Sequence, residues 1–187
     1  MRIISGTHKG KRIVAPKKLP VRPTTDMAKE ALFNILNNTH QFSQLSVLDL
    51  FSGTGNIAYE FASRGSKQLT AVDAHYNCVK FIKKTSKDLE LNVTTIKSDV
   101  FKFLEKAYIT ADIIFADPPY DFKEDNFKKI PELIFAKNLL NPNGQLIIEH
   151  SKYTDLSKFT NFKTCRRYGN AVFSFFENPE IEESALS

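Results

Sequence analysis

The stretch Val47-Leu48-Asp49-Leu50-Phe51-Ser52-Gly53-Thr54-Gly55-Asn56-Ile57-Ala58 decides the fold. An apolar run leads into a turn with two glycines, and beyond it Ile57, Phe61 and Ala62 fall on one side of a helix. Glycines at this point let the backbone approach a ligand closely. The spacing is G-x-G-x-x-A, and an acid, Asp73, stands 20 residues after Gly53 at the end of the next strand-like run. That is a nucleoside-binding fingerprint in which the acid meets ribose hydroxyls. A GxG alone is common. On the first strand of an alternating sheet, with the acid in register, it carries weight.

The alternation extends on both sides. Strands are expected at 46–50, 68–72, 93–96, 111–116 and 144–149, with helices near 56–64, 74–90, 100–107 and 125–136. Strand and helix in turn indicate a parallel α/β sheet. The ending departs from it: 162–166 and 171–177 flank Tyr168-Gly169-Asn170, a hairpin-like turn. Before the sheet, 2–5 and 12–15 read as a small β-hairpin. Thr24, Thr25 and Asp26 offer caps to a helix whose face is Ala28, Ala31, Leu32, Ile35 and Leu36.

Asp49 discriminates between ligands. A dinucleotide would place its pyrophosphate near this carboxylate and be repelled. S-adenosylmethionine brings an α-ammonium and a sulfonium there instead, so Asp49 favours it over NAD. The competing role for Asp49 is a turn cap that accepts from nearby N–H groups. Phe51, Ser52 and Thr54 complete the expected cofactor loop with Gly53 and Gly55. After the third strand, Asp99 could accept from an adenine amine, the Val100 N–H could meet a ring nitrogen and Phe101 could pack on the ring. Asp99 also suits a plain helix N-cap, and the two roles are compatible.

The fourth strand runs into Asp117-Pro118-Pro119-Tyr120. Prolines fix φ and remove N–H donors, and they hold the residues before them extended. The result is a stiff loop that presents acceptors, suited to a ligand group that donates, such as an –NH2. Asp117 and the bare Pro118 carbonyl are the expected acceptors, with Pro119 and the ring of Tyr120 completing the loop.

The chain has 187 residues and a formal charge of +5. Its first 22 residues carry seven cations and no acid, which leaves −2 for the rest. Basicity concentrated in one arm suits a polyanion, although a solvated basic tail has the same composition. Lys9, Lys11, Arg12, Arg22 and Lys29 are the candidate polyanion contacts. No run is long and apolar enough to span a membrane, and the opening lacks the h-region of a signal peptide, so a cytoplasmic protein is expected. Cys78 and Cys165 lie far apart and the four histidines are scattered, so no metal site and no disulfide framework is expected.

Over residues 1–177 the chain resembles the RsmD family of bacterial 16S rRNA guanine-N2 methyltransferases. The segments that carry the likeness are MRIISGTHKGKRI (1–13), RPTTDMAKEALFNIL (22–36), DLFSGTGNIAYEFASRG (49–65), DPPY (117–120), LLNPNGQLIIEHS (139–151) and RRYGNAVFSFF (166–176). The resemblance implies a Rossmann-like class I methyltransferase with a seven-stranded, mostly parallel sheet and an antiparallel C-terminal hairpin. It implies S-adenosylmethionine as cofactor and 16S rRNA or a small-subunit particle as partner. No obligatory protein partner is evident in the sequence, and a monomer is expected. The division expected is an RNA-binding appendage over 1–44, the catalytic domain over 45–177 and an acidic tail over 178–187. Two departures stand out. Met27-Ala28-Lys29 replaces the family's Arg-Val-Arg, and Asp73 stands where Glu is usual. Another exocyclic-amine methylase and an RNA-binding protein without activity are the rival readings. An NAD oxidoreductase would leave DPPY without a purpose.

Overall fold

In the computed structural model, residues 1–16, 19, 24–119 and 121–178 are described. Seven strands form one sheet: β1 (Ser46–Leu50), β2 (Gln68–Asp73), β3 (Thr94–Lys97), β4 (Ala111–Ala116), β5 (Leu140–Ser151), β6 (Phe162–Tyr168) and β7 (Ala171–Glu177). Their order is β3-β2-β1-β4-β5-β7-β6. The first five are parallel to one another, and β7 runs antiparallel to both β5 and β6. The helices are α1 (Asp26–Asn37), α2 (Asn56–Ser63), α3 (Tyr76–Asp88), α4 (Val100–Lys106) and α5 (Glu124–Ala136).

Period-2 alternation sends each strand's residues to two faces. Leu48, Leu50, Ile114, Ala116, Leu146 and Ile148 point towards α4 and α5. Val47, Ile113, Phe115, Ile147 and Phe173 point towards α1 and α2, where Leu32, Phe33 and Phe61 meet them. Continuous apolar runs are what a sheet covered on both sides requires. The Rossmann-like sheet and its antiparallel end agree with the sequence expectation.

Among the boundaries that differ, three have a visible cause. β5 begins at Leu140, four residues before the expected Gly144, because Leu140 pairs with Ala111 across a register shift ahead of the Ile113–Gln145 pair. The terminal hairpin extends to Tyr168, which pairs with Ala171 across a turn whose Gly169 has φ 64°. The N-terminal hairpin is reduced to a bridge between Arg2 and Arg12, held by Ile3 N–H to the Lys11 carbonyl and Gly10 N–H to the Ile3 carbonyl, both 2.9 Å. It does not lengthen because the next amides are used elsewhere: Ile4 and Ser5 N–H donate to the Glu60 carboxylate at 2.8 and 3.0 Å.

The arm is thereby fastened to α2. Thr7 N–H donates to the Ser63 carbonyl at 2.7 Å and His8 N–H to Ser63 Oγ at 2.9 Å. A side chain at Gly6 would start 1.8 Å from the Ser63 carbonyl oxygen, so only glycine permits this approach. The acidic tail beyond Asn178 lies outside the described residues.

Candidate active site

The glycine turn after β1 follows a left-handed path: φ is 56° at Phe51, 54° at Gly53 and 79° at Gly55. Ser52 pins it, donating from N–H to the Val72 carbonyl at 3.1 Å and from Oγ to the Asp49 carbonyl at 2.6 Å. Thr54 is buried, with its hydroxyl 3.6 Å from Met1 Sδ. Gly53 N–H donates to Asp73 Oδ2 at 2.8 Å, and the other oxygen of Asp73 accepts from His75 N–H at 2.7 Å. Asp73 therefore shapes the turn as well as ending β2. Each carboxylate oxygen has a second lone pair, which leaves acceptor capacity for a ligand hydroxyl.

Asp49 is 2% exposed. Its Oδ2 is buried without a hydrogen-bond partner among the described residues. Burial pushes its carboxyl up to about 8, opposed by the Ala58 N–H and reinforced by the charge of Asp73. The turn-cap role accounts at most for the oxygen facing Ala58. A buried acceptor with no partner is costly unless something supplies the missing donor. A cationic group such as the α-ammonium of S-adenosylmethionine fits that need, in charge and in donors.

Asp99 caps α4, accepting from Lys102 N–H at 3.0 Å, and its residue is exposed. Val100 is buried behind it. Phe101 lies parallel to Phe122 at 6.0 Å, and Phe122 meets Phe51 edge-on at 5.4 Å. Nothing in the sequence pattern singled out Phe122. It joins the cofactor loop, α4 and the segment after the two prolines into one aromatic wall.

Asp117 follows β4 and its N–H reaches the Leu50 carbonyl at 3.5 Å. The residue is partly exposed, while its carboxyl group is enclosed and its pKa is raised well above the ordinary carboxylate range. Burial is the main cause, followed by the charges of Glu149 and Asp49. Pro118 is buried and Pro119 exposed. Tyr120 lies outside the described residues.

Glu149 and Thr24 are the neighbours that sequence reasoning passed over. Thr24 Oγ1 donates to Glu149 Oε2 at 2.7 Å. Register could have revealed Glu149: Ala116 pairs with Ile148, so Asp117, just past the end of β4, lies beside Glu149, still within β5. Thr24 had been read only as a cap, but Thr25 is the residue that caps α1, accepting from Ala28 N–H at 3.2 Å.

The basic candidates separate. Lys9, Lys11 and Arg12 are exposed on the arm, and Arg22 lies outside the described residues. Lys29 is a correction. It is fully buried, 3.3 Å from Glu60, and it donates to the Arg2 carbonyl at 2.7 Å and to Asn56 Oδ1 at 2.8 Å. A cation enclosed in this way is committed to the fold and does not face a phosphate. Arg64 Nε also meets Glu60, at 2.9 Å, so Glu60 joins two cations and two arm amides.

A parallel sheet with an antiparallel last strand, a glycine turn ending β1 and acids at the strand ends define a class I, Rossmann-like methyltransferase. The Escherichia coli protein yhhF superposes on it with a TM-score of 0.82 at 24% identity, over 94% of this chain and 96% of that one. The family model described as "Conserved hypothetical protein 95" matches residues 1–177. Proteins named ribosomal RNA small subunit methyltransferase D are similar as well. The one from Buchnera aphidicola (Baizongia pistaciae) is 34% identical over 150 residues, 80% of this chain and 75% of its own length. The Escherichia coli K12 protein is 30% identical over 156 residues, 83% of this chain and 74% of its own length. The chain belongs to this family, the RsmD rRNA methyltransferases.

Proposed function

We propose that this protein methylates the exocyclic N2 amine of a guanine in 16S rRNA of the small subunit, with S-adenosylmethionine as cofactor. The carrying observation is the placement of the acceptor wall Asp117-Pro118 at the end of β4, beside Asp49 with its unpartnered Oδ2. Asp49, Asp73 and the turn 51–55 would hold the cofactor, with Asp99 and Val100 on its adenine. When bound, it supplies a methyl group made electrophilic by the sulfonium.

The protein's own groups act on the amine. A guanine N2 lone pair is delocalised into the ring, which makes it a poor nucleophile. Accepting both N–H bonds, with Asp117 and the Pro118 carbonyl, favours a tetrahedral nitrogen whose lone pair is free to attack. Positive charge grows on that nitrogen as the new N–C bond forms. Asp117 stabilises it and is placed to take the departing proton. Fixed alignment of the reacting atoms supplies a large part of the rate. The base must leave its stack to reach the wall, and Tyr120 is the proposed platform.

Residues 1–44 are proposed as the RNA-binding appendage of a monomeric cytoplasmic enzyme, whose catalytic domain spans 45–177. Lys9, Lys11, Arg12 and Arg22 would meet phosphates. No described helix is long and apolar enough to cross a membrane. The test is transfer of tritiated methyl groups to small ribosomal subunits from cells lacking the enzyme, followed by nucleoside analysis. The expected product is N2-methylguanosine. N6-methyladenosine would replace the guanine reading with the adenine one, and no transfer would remove both.

A further inference from the structure

We propose that Thr24 and Glu149 are positioning residues for Asp117: Thr24 fixes the Glu149 carboxylate beside Asp117, and Glu149 keeps Asp117 ready to take the proton that the amine releases. This rests on the reading of Asp117 as the group that meets the amine.

The placement follows from backbone register. Asp49 pairs with Phe115 across β1 and β4, and Ala116 pairs with Ile148 across β4 and β5. With period-2 alternation, Asp49, Asp117 and Glu149 all fall on the sheet face covered by α1 and α2, at its carboxyl edge. Glu149 is held there from outside the sheet. Thr24 Oγ1 donates to its Oε2 at 2.7 Å, and Thr24 is itself locked, since its carbonyl accepts from Asn56 Nδ2 at 3.2 Å. Asn56 in turn accepts from the buried Lys29 ammonium at 2.8 Å. The first residue of α2, next to the cofactor turn, is thus wired through the segment entering α1 to the carboxylate beside Asp117.

Two neighbouring carboxylates, with Asp117 enclosed and Glu149 partly buried, resist ionising together. The Thr24 hydroxyl stabilises the charged form of Glu149, so the pair's proton prefers Asp117 and Asp117 becomes the stronger base. The other groups facing it are consistent. Asp49 on β1 adds negative charge to it, His150 lies on the opposite sheet face with its ring on Ser174 and Phe127, and the Lys29 ammonium is engaged away from it by Glu60 and Asn56. In the reaction the N–C bond would form at the expense of the cofactor's S–CH3 bond, and the amine would give up one N–H proton. That proton passes to Asp117 and leaves for solvent before the next turnover, with no oxidant or other reactant involved. A base whose affinity for protons lies near the working pH is the most effective.

The experiment is the pH profile of kcat/KM with small ribosomal subunits for wild type, Glu149→Gln, Thr24→Val and Thr24→Ser, with thermal melts alongside. Glu149→Gln should move the acid limb to lower pH by about one to two units, the scale of one nearby charge. It should also lower the plateau roughly three- to tenfold, because a weaker base transfers the proton less readily. Thr24→Val should shift the limb in the same direction by less, and Thr24→Ser should restore it. A limb that stays in place in a folded Glu149→Gln protein overturns the proposal, as does Thr24→Ser behaving like Thr24→Val. Asp117→Asn serves as the control. If it retains wild-type activity, the reading of Asp117 itself has failed. If it is inactive and the Glu149→Gln limb is unmoved, only the positioning role has failed.

Discussion

The Lys29 ammonium lies 3.3 Å from the Glu60 carboxylate, and neither side chain is exposed to solvent. Burial lowers the Lys29 pKa and Glu60 opposes that shift. The two partners are not equivalent. Glu60 also receives Arg64 and the Ile4 and Ser5 amides, so its removal strands four donors at once. Glu60→Ala should cost about 3–5 kcal/mol, the usual result of breaking a buried pair from one side. Lys29→Met should cost less, since Arg64 and two amides still satisfy the carboxylate. Urea unfolding of both variants tests the order, and equal losses would refute the hub role of Glu60.

With Asp49 holding the cofactor's ammonium as proposed, cofactor binding is expected to release a proton. Its carboxyl is pushed from the usual 3.8 up to about 8 by burial, so at pH 7 the free protein holds a proton there. A cation beside it favours the ionised form, and close to one proton should be released per cofactor bound. Calorimetry in two buffers of different ionisation enthalpy reads this directly. The same shift sets the sign of stability against pH. Between pH 3.8 and about 8 the folded chain binds more protons at this site than the unfolded chain. The free protein should therefore lose stability through Asp49 as pH rises across that window. Asp49→Asn should abolish both effects and weaken affinity. Buffer-independent binding heats in wild type would contradict the assignment.

Gly55 has two constraints at once. Its φ is 79°, and an added Cβ would sit 2.9 Å from Tyr59 Cζ and 3.0 Å from Ile82 Cγ1. Gly55→Ala should destabilise the fold by roughly 2 kcal/mol or more, the scale of a non-glycine residue held left-handed. It should also reduce S-adenosylmethionine affinity at least tenfold. Tyr59→Leu in the same background should relieve only the steric share. An alanine variant as stable as wild type would mean that the turn adapts.

Asp117 and Asp73 should fail in different ways. Asp117→Ala is expected to lose turnover by roughly 10²–10³-fold or more with cofactor affinity kept, the scale of one preorganised electrostatic partner. Asp73→Ala should weaken cofactor binding by about 1.5–3 kcal/mol, the worth of hydrogen bonds to a charged group. Its loss also frees the Gly53 N–H, which adds to the effect. Paired binding and single-turnover measurements separate the two, and the same pattern in both variants would merge roles that are proposed to be distinct.

The arm should grip RNA by charge. Lys9, Lys11 and Arg12 are exposed while the arm's backbone is fastened to α2, so alanine at all three should leave folding intact. The slope of log K for rRNA against log salt should flatten by about 2–3 units. Base preference and cofactor affinity should not change, because phosphate contacts position without specifying sequence. An unchanged slope in a folded triple variant would place the RNA contacts elsewhere.

Local pattern carried much of the architecture. Glycines and acids at strand ends, apolar period and capping residues are encoded within a few residues of where they act. The alternation of strands and helices, the turn at 51–55 and the terminal hairpin were therefore legible without coordinates. So was the antiparallel pairing of β6 with β7, through the short turn at Gly169, while the place of β7 against the parallel strands came with the family resemblance. Which residues share a neighbourhood was not legible, because that depends on segments far apart in the chain. Lys29 reads as a surface cation on a helix until Glu60 and Asn56, brought in from α2, enclose it. Ile4 and Ser5 read as a strand until the Glu60 carboxylate takes their amides. Thr24 and Glu149 stand 125 residues apart, and only the packing of the segment before α1 against β5 puts hydroxyl and carboxylate at 2.7 Å. The sequence determined which groups the protein owns and the sheet that presents them. The tertiary structure decided which charges are buried and paired, because desolvation and hydrogen bonding act between neighbours in space, whatever their distance along the chain.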